Sequence, residues 1–184
     1  MIVALALLAA AELDPAHWFA SRPGLLRVYE DRSGHGIGTS CEVLSARPRE
    51  GARDGSVVES CTMIVARKVK PSSELTYALR PDGVVNVAVK PEGAPAQTLE
   101  RLVLPGALRA GTSWKETRGQ TELTRTVRSA GGPCRAAGRG FADCLVVSVT
   151  RRTGRKWNRY NETYAAGVGL VEDDQWQLID VKGL

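Results

Sequence analysis

Histidine is scarce in this 184-residue chain: His17 and His35 are the only two. That shortage bears on catalysis, because a hydrolytic nucleophile needs an adjacent base. Here the base would have to be one of those two residues or a carboxylate. The four cysteines include no pair at the C-x₂₋₄-C spacing of a zinc site, and both histidines lie far in sequence from Cys134 and Cys144. No metal and no other cofactor is therefore expected. The apolar run over residues 2–11 has about half the length a helix needs to cross a bilayer. The chain also lacks an internal repeat, a low-complexity tract and an amphipathic helical pattern beyond its first few residues.

What is present describes a β-rich domain. Hydrophobic residues make up 43% of the chain, ordinary for a globular protein. The 19 glycines and 9 prolines are spread along it rather than gathered, which suits many short strands and turns. A net charge of +5 permits contact with anionic surfaces without demanding it, because Lys and Arg interleave with Asp and Glu.

The opening residues 2–11 fit the apolar region of a secretory signal, with Ala9, Ala10 and Ala11 as the small residues before a cleavage at Glu12. No Lys or Arg precedes the run, and no Cys follows it to take a lipid. Residues 1–11 are thus expected to be a signal peptide and 12–184 a single antiparallel β domain. Export makes disulfides the natural fate of Cys41, Cys61, Cys134 and Cys144. Four cysteines allow three connectivities, of which local pairing, Cys41–Cys61 and Cys134–Cys144, is the simplest.

Along the chain, Asp14 and Pro15 read as the cap and first residue of a short helical lead-in. Strand-like segments follow at 25–31, 40–46 and 57–69, the first two separated by a glycine-rich turn. Pro81-Asp82-Gly83 between two β-forming runs marks the clearest hairpin. Further strands are expected at 98–104, 114–128, 145–152, 159–164, 169–172 and 175–181. Gly111 and Trp114 read as a turn into a strand whose Trp covers one end of the core. Gly138 and Phe141 read as a hairpin corner, and Gly167 and Gly169 as sites of positive φ or close strand approach.

Five segments in order also carry a resemblance: residues 18–24, Asp82-Gly83-Val84, residues 102–114, residues 137–144 and residues 164–171. Together they resemble a group of uncharacterised exported bacterial β-rich proteins and lipoproteins. Members of that group show LplpxxxGxxW, paGxFxxC and yapGvGlV segments in this order. The resemblance covers most of the chain after the opening run and is strongest after Leu99. Cys134 and the Cys41/Cys61 pair fall outside the shared pattern. It implies a single curved antiparallel sheet, an open half-barrel similar to lipoprotein-carrier folds, and it implies no catalytic residues.

Candidate chemistry is thin. His35 lies in Ser33-Gly-His-Gly-Ile-Gly38, which lacks the Gly-Lys-Ser/Thr ending of a phosphate loop and the strand–helix context of a dinucleotide site. It reads as a turn, and His17 as a surface residue of the lead-in. Asp173-Asp174 and Glu30-Asp31 are adjacent acids of the solvated kind. The strongest electrostatic feature is Arg151, Arg152, Arg155, Lys156 and Arg159 on one hairpin, with Trp157 and Tyr160 among them. Such a mixture suits an anionic surface; the plain alternative is a set of cations that keeps a strand edge from aggregating. Nucleic acid is the weakest partner, since export removes it.

The expected function is that of a periplasmic or secreted, non-enzymatic envelope protein binding an apolar or lipid-like ligand on the concave sheet face. The alternative is an interaction module of an envelope complex that uses the basic aromatic hairpin at 151–160. A hydrolase is a distant third.

Overall fold

The computed structural model describes residues 14–184, so the expected signal segment 1–11 lies outside the described residues. Twelve antiparallel strands form one sheet that curls almost into a closed barrel. They are β1 (Leu26–Asp31), β2 (Ile37–Arg47), β3 (Gly55–Val65), β4 (Lys68–Arg80), β5 (Gly83–Pro91), β6 (Gln97–Pro105), β7 (Ser113–Arg118), β8 (Thr121–Ala136), β9 (Arg139–Thr153), β10 (Lys156–Ala165), β11 (Gly169–Glu172) and β12 (Trp176–Lys182). Two six-strand meanders, β1–β6 and β7–β12, are joined where the first and last strands pair, Leu26 opposite Lys182 and Asp31 opposite Trp176. The free edges are β6 and β7, consecutive in sequence but not hydrogen-bonded as strands. No helix among the described residues is long and apolar enough to cross a membrane.

Antiparallel order gives the sheet two distinct ends. The turns after β2, β4, β6, β8 and β10 lie at one end, and those after β1, β3, β5, β7, β9 and β11 at the other. The lead-in blocks the first end. A 3₁₀ turn at Pro15–Trp18 is capped by Asp14, whose carboxylate accepts from the Ala16 N–H at 2.9 Å. Trp18 is fully buried, and Phe19 meets Tyr77 edge-on at 4.7 Å. Asp143 of β9 ties the turn down, accepting from Trp18 Nε1 at 3.3 Å and lying 2.6 Å from His17 Nε2. The Gly167 N–H donates to the His17 carbonyl. Leu25, Val43, Val57, Val84 and Leu104 are completely buried, as are Leu145, Val147 and Val149 of β9.

The expectation of one curved antiparallel sheet holds, and the sheet wraps further than half a barrel. Local turn chemistry explains where the strands differ from those expected. Residues 57–69 do not form one strand: the chain reverses at Ala66 and Arg67, with φ of 51° and 63°. A left-handed pair without Gly or Asn carries no sequence signal of a turn. Residues 114–128 divide in the same way at Gly119-Gln120. The Pro81-Asp82-Gly83 turn is where it was expected, and there Gly83 is obligatory. Its φ is 145°, and a Cβ would lie 2.2 Å from the Leu104 carbonyl oxygen.

Both cysteine pairs form the local disulfides expected. Cys41 and Cys61 sit directly opposite on β2 and β3, with Cα atoms 4.1 Å apart. Cys134 and Cys144 staple β8 to β9.

Candidate site: a polar layer inside the barrel

The side chains that turn inward are not uniformly apolar. On four strands an ionisable residue occupies the inward phase between two hydrophobic or aromatic neighbours: Leu25-Arg27-Tyr29, Val57-Glu59-Cys61, Leu123-Arg125-Val127 and Tyr160-Glu162-Tyr164. All four ionisable residues are buried, and the fold pairs them by sign. Arg27 bonds Glu59, with both side chains about 95% buried. Arg125 grips Glu162 with three hydrogen bonds of 3.0–3.1 Å, the forked geometry that suits a carboxylate.

The second pair belongs to a chain of charges that reaches the sheet's free edges. Glu116 on β7 lies 2.9 Å from Arg125 Nη1 and 2.8 Å from Arg101 Nε on β6. A shared carboxylate thus bridges the two edges where the backbone does not. At the other end of the chain the Tyr164 hydroxyl donates to Glu162 at 2.9 Å.

Burial and neighbours set the protonation states. Burial alone would lower the Arg27 pKa, but Tyr29, Glu59 and Tyr77 around it raise it on balance. Arg125 behaves likewise, held charged by Glu162 against its desolvation. Burial pushes the Glu59 carboxyl upward, opposed by Arg27. Burial raises the phenols of Tyr29, Tyr77 and Tyr164, so they remain neutral donors.

These groups surround a cavity of about 280 Å³, reached by residues of β1 to β6, β8, β10 and β11. Its lining mixes the ion pairs and tyrosines with Leu75, Leu102, Val103 and Leu170; Phe19 of the lead-in and Trp176 at the start of β12 also border it. Among the described residues, three polar atoms in this wall are buried without a hydrogen bond: Nε of Arg101, which still has the Glu116 carboxylate 2.8 Å away, and Nε of Arg27 and Oδ1 of Asn86, which have no partner. A buried donor or acceptor left unpaired costs about 1–3 kcal/mol. A second cleft of about 500 Å³ lies between the lead-in and the β2–β3 loop, and none of the buried unpaired atoms belongs to it.

The residues singled out from sequence are dispersed. In the 151–160 hairpin, Arg151 is engaged by Asp174 at 2.8 Å and stacks over Tyr160, with 5.1 Å from guanidinium carbon to ring centre. Arg152, Arg155, Lys156, Trp157 and Arg159 are exposed, and Arg159 lies over the Trp157 ring at 5.8 Å. Trp114 is buried, and Phe141 packs against the core's margin. Gly111, Gly138 and Gly167 hold positive φ in turns. Gly169 combines positive φ with close approach, since a Cβ there would meet Arg27 Nη1 at 2.9 Å. At the β1–β2 turn, Ser33 contacts both His35 and Asp31. Asp31 therefore holds the serine hydroxyl and the Ser33 N–H, and not the imidazole as a catalytic triad requires.

Arg27, Glu59, Asn86, Arg125 and Glu162 were not anticipated. The signal of the four charged ones is nonetheless in the sequence: ionisable residues in the apolar phase of a strand, two of each sign.

No protein-family model and no curated protein matches this chain. Among solved structures, a predicted lipoprotein from Parabacteroides distasonis superposes with a TM-score of 0.59 at 13% identity, covering 92% of this chain and 100% of its own. A predicted exported protein of YmcC-like fold from Bacteroides fragilis gives a TM-score of 0.53 at 12% identity, covering 90% and 98%. At such identities the likeness speaks for the fold, and a shared fold does not carry a function with it.

Proposed function

We propose that this chain is an exported, non-enzymatic protein of the cell envelope that encloses a small amphipathic ligand inside its barrel. Two disulfides suit an oxidising compartment, periplasmic or external. The signal-like residues 2–11 and the descriptions of the two structural neighbours as exported or lipoprotein agree with that reading. We likewise read the five ordered segments as those of the exported β-rich group they resemble.

The observation that carries the proposal is the pair of unpartnered buried atoms, Arg27 Nε and Asn86 Oδ1, in the wall of the cavity. One offers a hydrogen-bond donor and the other an acceptor, and the inward-facing charges largely neutralise one another. The ligand therefore has an uncharged, hydrogen-bonding head. Its apolar part lies against Leu75, Leu102 and Val103. The lipid-like ligand expected from sequence is narrowed to one with such a head. A volume of about 280 Å³ equals roughly nine waters at about 30 Å³ each, room for a head group and a short stem.

The test is native mass spectrometry of protein extracted mildly from a bacterial envelope. A bound organic species is expected, with lower occupancy in Asn86→Leu, which removes the unpaired acceptor. The bare polypeptide mass, or occupancy indifferent to Asn86→Leu, would overturn the proposal.

A further inference from the structure

The barrel end opposite the lead-in carries two hairpin tips of matching composition. At the β3–β4 tip, Arg67, Lys68 and Lys70 stand beside Val69, which is 71% exposed, and Met63, 44% exposed. At the β9–β10 tip, Arg152, Arg155, Lys156 and Arg159 accompany Trp157, 70% exposed. Among the described residues none of these seven cations is in an ion pair. Several acids at the same end are already engaged: Glu172 by Arg32, Asp174 by Arg151, Glu122 by Lys115, and Glu92 by the Ser72 N–H and hydroxyl.

The tips also face one another across the mouth. Six of the twelve strands (β3, β2, β1, β12, β11, β10) separate the two turns, which is half the circuit of the sheet. Protection of an exposed strand edge accounts for part of each tip and not for the whole of either. β10 is unpaired on its far side until Thr163, so Lys156 and Arg159 do guard an edge there. β3 is paired on both sides up to Val65, but β4 pairs with β5 only from Ser73, so Lys68 and Lys70 also border an unpaired edge, whereas Arg67 and Arg155 sit in the turns themselves. Edge protection also gives no reason for an exposed tryptophan on one tip and an exposed valine and methionine on the other.

We propose that this end of the barrel docks on an anionic lipid bilayer, with the two tips as paired feet. Cations near the surface are drawn to anionic head groups, and Trp157, Val69 and Met63 enter the interfacial layer, where tryptophan is favoured. The aliphatic members decide between a bilayer and an anionic polysaccharide, which offers them nothing to enter. Docking in this orientation turns the barrel mouth toward the membrane and the plugged end away from it. The inference stands whether or not the cavity holds a ligand.

Co-sedimentation of the full chain with vesicles tests it. Binding is expected to vesicles of phosphatidylglycerol mixed with phosphatidylcholine, weakening as salt rises, and not to phosphatidylcholine alone. Each cation removed from a tip should weaken binding about fivefold. Arg155→Glu with Lys156→Glu, and separately Lys68→Glu with Lys70→Glu, should each cost at least about 25-fold. Trp157→Ser should weaken binding with no change in its salt dependence. Arg53→Glu, on the β2–β3 loop at the plugged end, is the control and should bind as the parent does. All these changes lie on exposed tips, and an unchanged thermal midpoint verifies folding. Equal binding to both vesicle types, loss of binding in Arg53→Glu, or binding to heparin with none to the anionic vesicles would overturn the inference.

Discussion

The Arg27–Glu59 pair lends itself to a double-mutant cycle, because both partners are withdrawn from water. Glu59→Leu leaves the Arg27 guanidinium buried without its counter-charge, and its Nε already lacks a partner. Breaking one side of a buried ion pair costs about 3–5 kcal/mol. For a chain of this size each kcal/mol moves the melting temperature by about 2–4 °C, so a fall of about 6–20 °C is expected. Arg27→Met strands the Glu59 carboxylate, but that group escapes part of the penalty by taking up a proton, as the upward push of burial on its pKa foreshadows. The arginine has no such exit, so Glu59→Leu should be the more damaging single change. Replacing both residues restores an uncharged interior, and the double variant should recover to within about 1 kcal/mol of the parent. Thermal and guanidinium unfolding of the four proteins, with disulfides intact, gives the coupling energy directly. Additive effects below about 1 kcal/mol for each single change would refute the reasoning and mean that water reaches the pair.

Two further predictions concern the frame around the cavity. Replacing Cys41 and Cys61 by alanine should cost about 3 kcal/mol on the loop-closure model, and replacing Cys134 and Cys144 slightly less because the loop is shorter; the shift in the guanidinium midpoint reads both, and no shift would mean that the reduced chain is already constrained. Asp31 accepts from the Ser33 N–H at 2.8 Å and from its hydroxyl at 2.7 Å, and these bonds hold its carboxyl below the ordinary 3.8. With the folded value below the unfolded one, the stabilisation is complete above about pH 4 and is lost as the pH falls through the folded value; Asp31→Asn should flatten that acid limb, and an unchanged limb would assign it to other carboxylates.

Much of the framework could be read from the sequence because its determinants are local. The Asp14 cap, the Pro81-Asp82-Gly83 turn and the two disulfides each depend on residues within about twenty positions of one another. The turn at Ala66-Arg67 was hidden because the left-handed pair is imposed by the β3–β4 pairing and not by its own residues. Closure of the sheet was hidden for the opposite reason. It depends on β1 meeting β12, roughly 150 residues away, and on Glu116 reaching both Arg101 and Arg125.

The interior site sits between these two cases. Arg27, Glu59, Arg125 and Glu162 each break the apolar phase of a strand, which marks them as anomalous one at a time. Which charge answers which is settled only by strand order and register, across separations of 32 and 37 residues. An isolated charge in that phase would be too costly to bury, so the sequence alone favours turning the strand over or ending it. Paired by the completed sheet, the same charges cost little, and they exclude a wholly apolar filling. What they leave unpaired, one guanidinium nitrogen and one amide oxygen, therefore defines the chemistry of the cavity more sharply than its apolar lining does.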